Sequence, residues 1–162
     1  MVNICLLFSL STTALSRHFD VIDKGGQMDH GKILVFSGKS GSGKTYQLKK
    51  FVNDQNSRFF HADELLDMII TCAKCAYTGE LKKADLTTRL LATGATVFAF
   101  DDIDYEFKGK TQCQKEICNV IWNLTEHGSQ VAIGVIDIAD IPVIKQFLTS
   151  NPIAGLVEWR FL

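Results

Sequence analysis

The sequence predicts a three-layer α/β fold, a five-stranded parallel sheet covered by helices on both faces, and three observations carry that prediction. Short apolar runs alternate with stretches of helical period. The run at 33–36 leads directly into Gly38-Lys39-Ser40-Gly41-Ser42-Gly43-Lys44-Thr45, and the run at 97–100 ends in the adjacent carboxylates Asp101 and Asp102. Strands that are apolar at every residue are buried on both faces, and their alternation with helices makes them parallel.

Residues 38–45 fit the phosphate-loop (P-loop) pattern G-x-x-x-x-G-K-[ST] at every fixed position. Gly38, Gly41 and Gly43 permit backbone conformations closed to residues with a Cβ. The N–H groups of the loop, those of Lys39, Ser40 and Ser42 among them, can then face one phosphate-sized concavity. Lys44 supplies a mobile charge for β- and γ-phosphates, and the Thr45 hydroxyl suits Mg²⁺. A helix opening at Lys44 adds the positive end of its dipole. The expected ligands are ATP and Mg²⁺; the competing reading is a glycine-rich turn that binds nothing.

A chain of 162 residues, 46% hydrophobic, can bury one respectable core, so a single domain over 1–162 is expected. A net charge of −1 gives no global attraction to nucleic acid or anionic membrane, so any DNA contact would be local or belong to a partner. Five cysteines, an odd number, read as the reduced thiols of a cytoplasmic protein. Cys72-Ala73-Lys74-Cys75 has the spacing of half a zinc site without a second Cys or His pair at suitable distance. No run of about 18 apolar residues is present to span a membrane. The apolar opening at 2–10 resembles a short signal core but has no Lys or Arg ahead of it. Export would also strand an ATP-binding loop where ATP is scarce, so residues 1–30 are read as a segment and helix that pack against the domain and lead into it.

Taken in order, Leu15, Phe19 and Ile22 at i, i+4 and i+7, after Ser11 or Thr12, predict an amphipathic helix ending near Gly25 and Gly26. The first strand follows at 33–37. A helix from Lys44 to about Asn53 turns Leu48, Phe51 and Val52 inward. The short aromatic stretch Arg58-Phe59-Phe60-His61 predicts the second strand, with His61, a lone histidine at its end, read as structural. A helix from Ala62 to about Tyr77 buries Leu65, Leu66, Ile69, Cys72 and Ala76 and places Asp63 and Glu64 in its first turn, where acidic groups favour the dipole. After a polar break at 78–83, a short helix from about Asp85 to Thr93 closes at Gly94.

The third strand, at 96–100, delivers two acids to the tip of the sheet. Asp101 is expected to hold Mg²⁺, and Asp102 to orient or deprotonate the attacking water. Asp104 and Glu106 read as solvated loop charges. The helix from Thr111 to about His127 has a capping box of Thr111 and Gln114, an inner face of Cys113, Ile117, Val120, Ile121 and Leu124, and a stop at Gly128. A fourth strand spans 130–136. Asp140 then caps a helix with Pro142 in its first turn and Val143, Ile144, Phe147 and Leu148 inward, and a fifth strand spans 155–161. The phosphate loop and Asp101 both fall at carboxyl ends of strands, where they can share one ligand.

From these residues the chain resembles the AAA+ ATPases, and within them the DnaA-type replication initiators and their DnaA-like regulators. Phe60-His61-Ala62-Asp63-Glu64-Leu65 is similar to the family's entry into its second helix, and Phe100-Asp101-Asp102-Ile103-Asp104 to its D-D-I-x motif. Gly109-Lys110-Thr111-Gln112, Glu116, Asn123-Leu124, Glu126-His127-Gly128 and Gln130-Val131 follow the next helix and strand. The resemblance runs from about residue 33 to 157 and is most specific between 98 and 131.

It implies an AAA+ core with strand order 5-1-4-3-2, ATP bound at a subunit boundary, and a polar sensor after the fourth strand, where Asp137 stands. The family's arginine finger lies in an S-R-F-like stretch before a G-L pair. Here the residues read Ser150-Asn151-Pro152-Ile153-Ala154-Gly155-Leu156, with Asn151 in the place of the arginine. Against the family pattern, the sequence is expected to lack the helical lid with its second sensor arginine and the helix-turn-helix DNA-binding domain. An arginine finger contributes about 10³-fold or more to turnover, so binding is expected to survive better than hydrolysis.

The resulting expectation is a DnaA-like ATP-binding protein of replication initiation or its regulation, partnered by an initiator or a related AAA+ subunit, with weak or partner-dependent hydrolysis. One alternative is a small P-loop phosphotransferase, whose arginine-rich lid would have only Arg89 and Arg160 to draw on among the late residues. The other is a non-hydrolysing module in which ATP is a structural ligand.

Overall fold

Five parallel strands, β1 (Ile33–Ser37), β2 (Ser57–His61), β3 (Val97–Asp101), β4 (Gln130–Val135) and β5 (Val157–Phe161), form one sheet in the order β2-β3-β4-β1-β5. This is the order the resemblance implies, read from the opposite edge. Among the described residues six helices accompany them: α1 (Lys44–Phe51), α2 (Ala62–Tyr77), α3 (Leu86–Leu91), α4 (Ile103–Phe107), α5 (Thr111–Glu126) and α6 (Pro142–Thr149). The computed structural model describes residues 30–54, 56–77 and 85–162, with side chains left out at 74–77. The expected helix around Leu15, Phe19 and Ile22, and the apolar segment before it, lie outside the described residues, as does the side chain of Cys75.

Successive strand residues point to opposite faces, and here the two faces differ in size. Ile33, Val35, Phe98, Phe100, Val131, Ile133 and Val135 form the larger core with Leu65, Ile69, Ile117, Ile121, Leu124 and Ile144 from the helices. Burying a side chain such as Phe98 or Phe100 completely stabilises the fold by up to about 3 kcal/mol. The opposite face presents Leu34, Phe36, Ala99 and Ala132 to Leu48 of α1. Small residues on the central strands let α1 lie close to the sheet, which becomes decisive for the site.

Local signals account for most boundaries. Asp85 caps α3, its Oδ1 accepting from Thr88 N at 2.9 Å. Gly94 and Gly128 hold φ of 73° and 78° just past their helices, the left-handed conformation that favours glycine. Glu64 does more than favour the dipole: its Oε2 accepts from the backbone N of His61 at 3.2 Å, closing the start of α2.

Two expected caps are corrected. Helix α5 starts with Thr111 already helical and Lys110 at the N-cap, without a side-chain cap. Gln114 is buried instead, its Nε2 donating to Phe107 O at 2.8 Å and its Oε1 accepting from Val143 N at 3.1 Å. An amide can donate and accept at once, so Gln114 ties the end of α4 to the open first turn of α6. Asp140 does not cap α6, whose N-cap is Ile141; it closes the 3-10 turn Ile138–Asp140 and pairs with Lys108 at 2.8 Å. No helix among the described residues is long and apolar enough to cross a membrane.

Candidate functional site

The loop between β1 and α1 owes its shape to glycine for two different reasons. Gly41 and Gly43 sit at φ 79° and 93°, where a side chain would be strained even though no atom lies within 4 Å of the place a Cβ would take. At Gly38 crowding decides: a Cβ would lie 2.6 Å from Leu162 O and 2.7 Å from Ser42 Oγ. Gly43 is also the N-cap of α1, and no side chain caps the first turn, so its N–H groups are left for a ligand.

Lys44 is buried, and its Nζ donates to Gly38 O at 2.8 Å and Lys39 O at 3.0 Å. The ammonium thus lies over the loop with a third donor to spare. Lys39 and Ser40 are exposed on the loop. Ser42 Oγ is buried and has no hydrogen-bond partner, the kind of polar atom a bound polar group would satisfy. Uncapped helix, spanning lysine and orphaned hydroxyl all fit a phosphate.

The acidic strand tip lies at the end of β3, separated from β1 by β4, so roughly 10 Å of sheet stands between loop and acid. Helix α1 bridges the gap: Thr45 Oγ1 donates to Asp101 Oδ2 at 2.5 Å. Asp101 is fully buried, and its Oδ1 accepts from Asp102 N at 3.1 Å. A threonine hydroxyl and a carboxylate brought together in this way are hard oxygen donors suited to Mg²⁺.

The bridge depends on Gly134 in β4, a residue the sequence reading overlooked. A Cβ there would stand 2.5 Å from Asp101 Oδ1 and 2.7 Å from Leu48 Cδ1. The available signal was a lone glycine inside an apolar strand, which often marks a close approach.

Asp102 follows in the left-handed conformation, φ 57° and ψ 32°, rare for a residue with a side chain and often found at functional sites. Burial pushes its carboxyl above the usual carboxylate range; Asp101 and Asp104 add to the rise, while His61 and Lys44 oppose it. A carboxylate shifted upward is a stronger proton acceptor. His61 sits in register with Asp101, and one ligand atom from each of His61, Asp101 and Asp102 lies within 4.8 Å of the others.

Asp104 is corrected from a solvated loop charge to a buried clamp. It lies on α4, a helix the sequence reading took for loop, and its Oδ2 accepts from Ile136 N at 2.9 Å and Asp137 N at 2.8 Å. The spacing of Ile103 and Phe107, both buried, drives that short helix inward and takes Asp104 with it. Asp137 therefore stands at the carboxyl end of β4 with its backbone held, and its Oδ1 accepts from Ala139 N at 2.8 Å. Asn151 is exposed in the turn after α6. Lys44, Thr45, Asp101 and Asp102 thus converge, with Asp137 joined to them through Asp104.

Compared with known protein families and with curated proteins, the chain matches none. Among solved structures it is similar to AMPPCP-bound DnaA from Aquifex aeolicus, at 16% identity and a TM-score of 0.57, over 80% of this chain and 40% of that one. It is similar to the replication initiator DnaA bound to AMPPCP and single-stranded DNA, at 17% and 0.58, over 81% and 40%. Domain III of the Thermotoga maritima replication initiation protein DnaA aligns at 17% and 0.52, over 78% and 53%. The chain therefore spans about half or less of these structures. At such identities the likeness is one of fold: the chain shares the five-stranded parallel α/β fold of these DnaA structures.

Proposed function

We propose that this chain is a DnaA-like AAA+ ATP-binding domain that acts with a protein partner in cytoplasmic replication initiation or its regulation. The observation that carries the reading is the 2.5 Å contact of Thr45 with Asp101 across β4, beside a loop spanned by Lys44. The backbone N–H groups of residues 39–44 and the Lys44 ammonium would receive the phosphates. Thr45 and Asp101 would hold Mg²⁺, which when bound supplies positive charge against the β- and γ-phosphate oxygens. Asp102 would orient the attacking water and accept its proton. Asp137 would serve as the polar sensor through its second carboxylate oxygen, since Oδ1 is used in the turn.

The two DnaA structures that hold AMPPCP support a nucleotide as the ligand. Hydrolysis is weak or partner-dependent in this reading, because Asn151 cannot neutralise charge on a neighbour's γ-phosphate. Direct DNA binding is left out, in keeping with a net charge of −1. The test is ATP binding by wild type and Lys44→Ala, with steady-state ATPase measured with and without a full-length initiator and DNA. Wild type should bind, Lys44→Ala should not, and turnover should be low alone and change with the initiator. If Lys44→Ala binds ATP normally, the site is misassigned. Absence of nucleotide-dependent association with the initiator defeats the replication role, and γ-phosphate transfer to a nucleoside or small metabolite would favour a phosphotransferase.

A further inference from the structure

We propose that His61, Asp101 and Asp102 form a site for a divalent transition-metal ion of the Mn²⁺, Co²⁺ or Zn²⁺ class, filled without nucleotide. The pairing of β2 with β3 brings His61 level with Asp101, and Asp102 follows at once in the chain. One ligand atom from each residue lies within 4.8 Å of the others. Three ligands about 2.1 Å from a tetrahedral ion stand about 3.4 Å apart, so closing the triangle from this spread takes side-chain shifts of up to about an ångström. His61 and Asp102 are both at least partly exposed and can make them.

The imidazole is oriented in advance. Its backbone N is held by Glu64, and the ring stands edge-on to Phe59 with centroids 5.0 Å apart. Among the described residues its ring nitrogens make no hydrogen bond. Charge favours a cation there as well. Asp101, Asp102 and Asp104 gather around one end of β3, Asp104 Oδ1 is buried without a partner, and Lys44 is the lysine that opposes them at Asp102.

The nitrogen donor determines the metal class. Mg²⁺ prefers oxygen ligands throughout, whereas one imidazole with two carboxylates suits later divalent ions. This site therefore differs from the Thr45 and Asp101 pair assigned to Mg²⁺ with ATP: it uses His61 and requires no phosphate.

The test is isothermal titration of the reduced, nucleotide-free 162-residue chain with CoCl₂ and, separately, MgCl₂, in wild type, His61→Ala and Asp102→Asn. Thermal melts confirm that the variants fold. Wild type should take up Co²⁺ at a site at least about tenfold tighter than for Mg²⁺. Both variants should weaken Co²⁺ at that site at least about tenfold, the loss that an outer-shell partner alone can produce. His61→Ala should bind ATP with Mg²⁺ as wild type does. A wild-type chain without a nucleotide-free Co²⁺ site, or a Co²⁺ affinity unmoved by His61→Ala, overturns the proposal. Parallel ATP titrations keep that failure distinct from a failure of the nucleotide reading.

Discussion

Replacing Gly134 by alanine sets two expectations of opposite sign against each other. Gly134 is not left-handed, and in an ordinary strand Gly→Ala stabilises by about 0.4–1 kcal/mol because the unfolded chain loses freedom. Here the new methyl would meet Asp101 Oδ1 at 2.5 Å and Leu48 Cδ1 at 2.7 Å, whereas ordinary contact begins at 3.4 Å. The neighbours must retreat by roughly 0.7–0.9 Å, and neither is free to do so. Asp101 is fully buried and held by Thr45 and the Asp102 N–H, and Leu48 is fully buried beneath α1. Overpacking of this kind costs about 1–3 kcal/mol, enough to reverse the entropic gain. A displacement near 1 Å also parts Thr45 from Asp101, and errors of that size at a positioned site can cost about 10²-fold. Urea unfolding and fluorescence titration with ATP in Mg²⁺ read the two effects. The expected result is a lower unfolding midpoint and ATP binding weakened at least about tenfold. A midpoint equal to or above wild type, together with wild-type ATP binding, would refute the idea that Gly134 makes the crossing of β4 possible.

Three further outcomes follow from named groups. Asp102 has a carboxyl pKa raised above its ordinary 3.8, so the folded chain holds that proton more tightly and wild-type stability falls as pH rises from about 3.8 through the raised value. Asp102→Asn removes the charge and tolerates the left-handed backbone. At pH 7 it should melt at or above wild type, keep ATP binding and lose turnover, and a lower melting temperature at pH 7 that persists in acid counts against the assignment. Asp104→Ala removes the acceptor for Ile136 N and Asp137 N and should destabilise by about 2–4 kcal/mol in urea unfolding, with a change below about 0.5 kcal/mol contradicting the clamp. Burial pushes the Cys118 thiol up to about 12, so alkylation at pH 8 followed by mass mapping should leave it unmodified in the native chain and modified after denaturation. Labelling of native Cys118 as fast as the partly exposed Cys113 would show that its burial is wrong.

Much of the candidate site was legible because its residues are close together in the chain. The phosphate loop is a contiguous stretch whose glycines, lysine and threonine have fixed spacing, and the acids sit at the end of an apolar run. Strand and helix periods likewise report burial within a few residues, which is why α2 matched its expected span of Ala62–Tyr77. Short elements and caps were less legible. The five residues of α4 are too few for a period to stand out, and Thr111 with Gln114 satisfied a capping pattern that the fold uses differently.

What the chain alone determined is which groups are present and which of the longer segments are strands or helices, since those depend on side-chain size, polarity and backbone preference over one or two turns. What only the tertiary structure decided is which distant groups meet. Thr45 reaches Asp101 because α1 lies on a face of small residues, Gly134 opens the way between them, and strand pairing sets His61 beside Asp101. Asp104 and Gln114 find their partners about 30 residues along the chain by the same means. These pairings arise from the order in which layers pack and strands register, a property of the whole core that leaves no periodic mark in the local sequence.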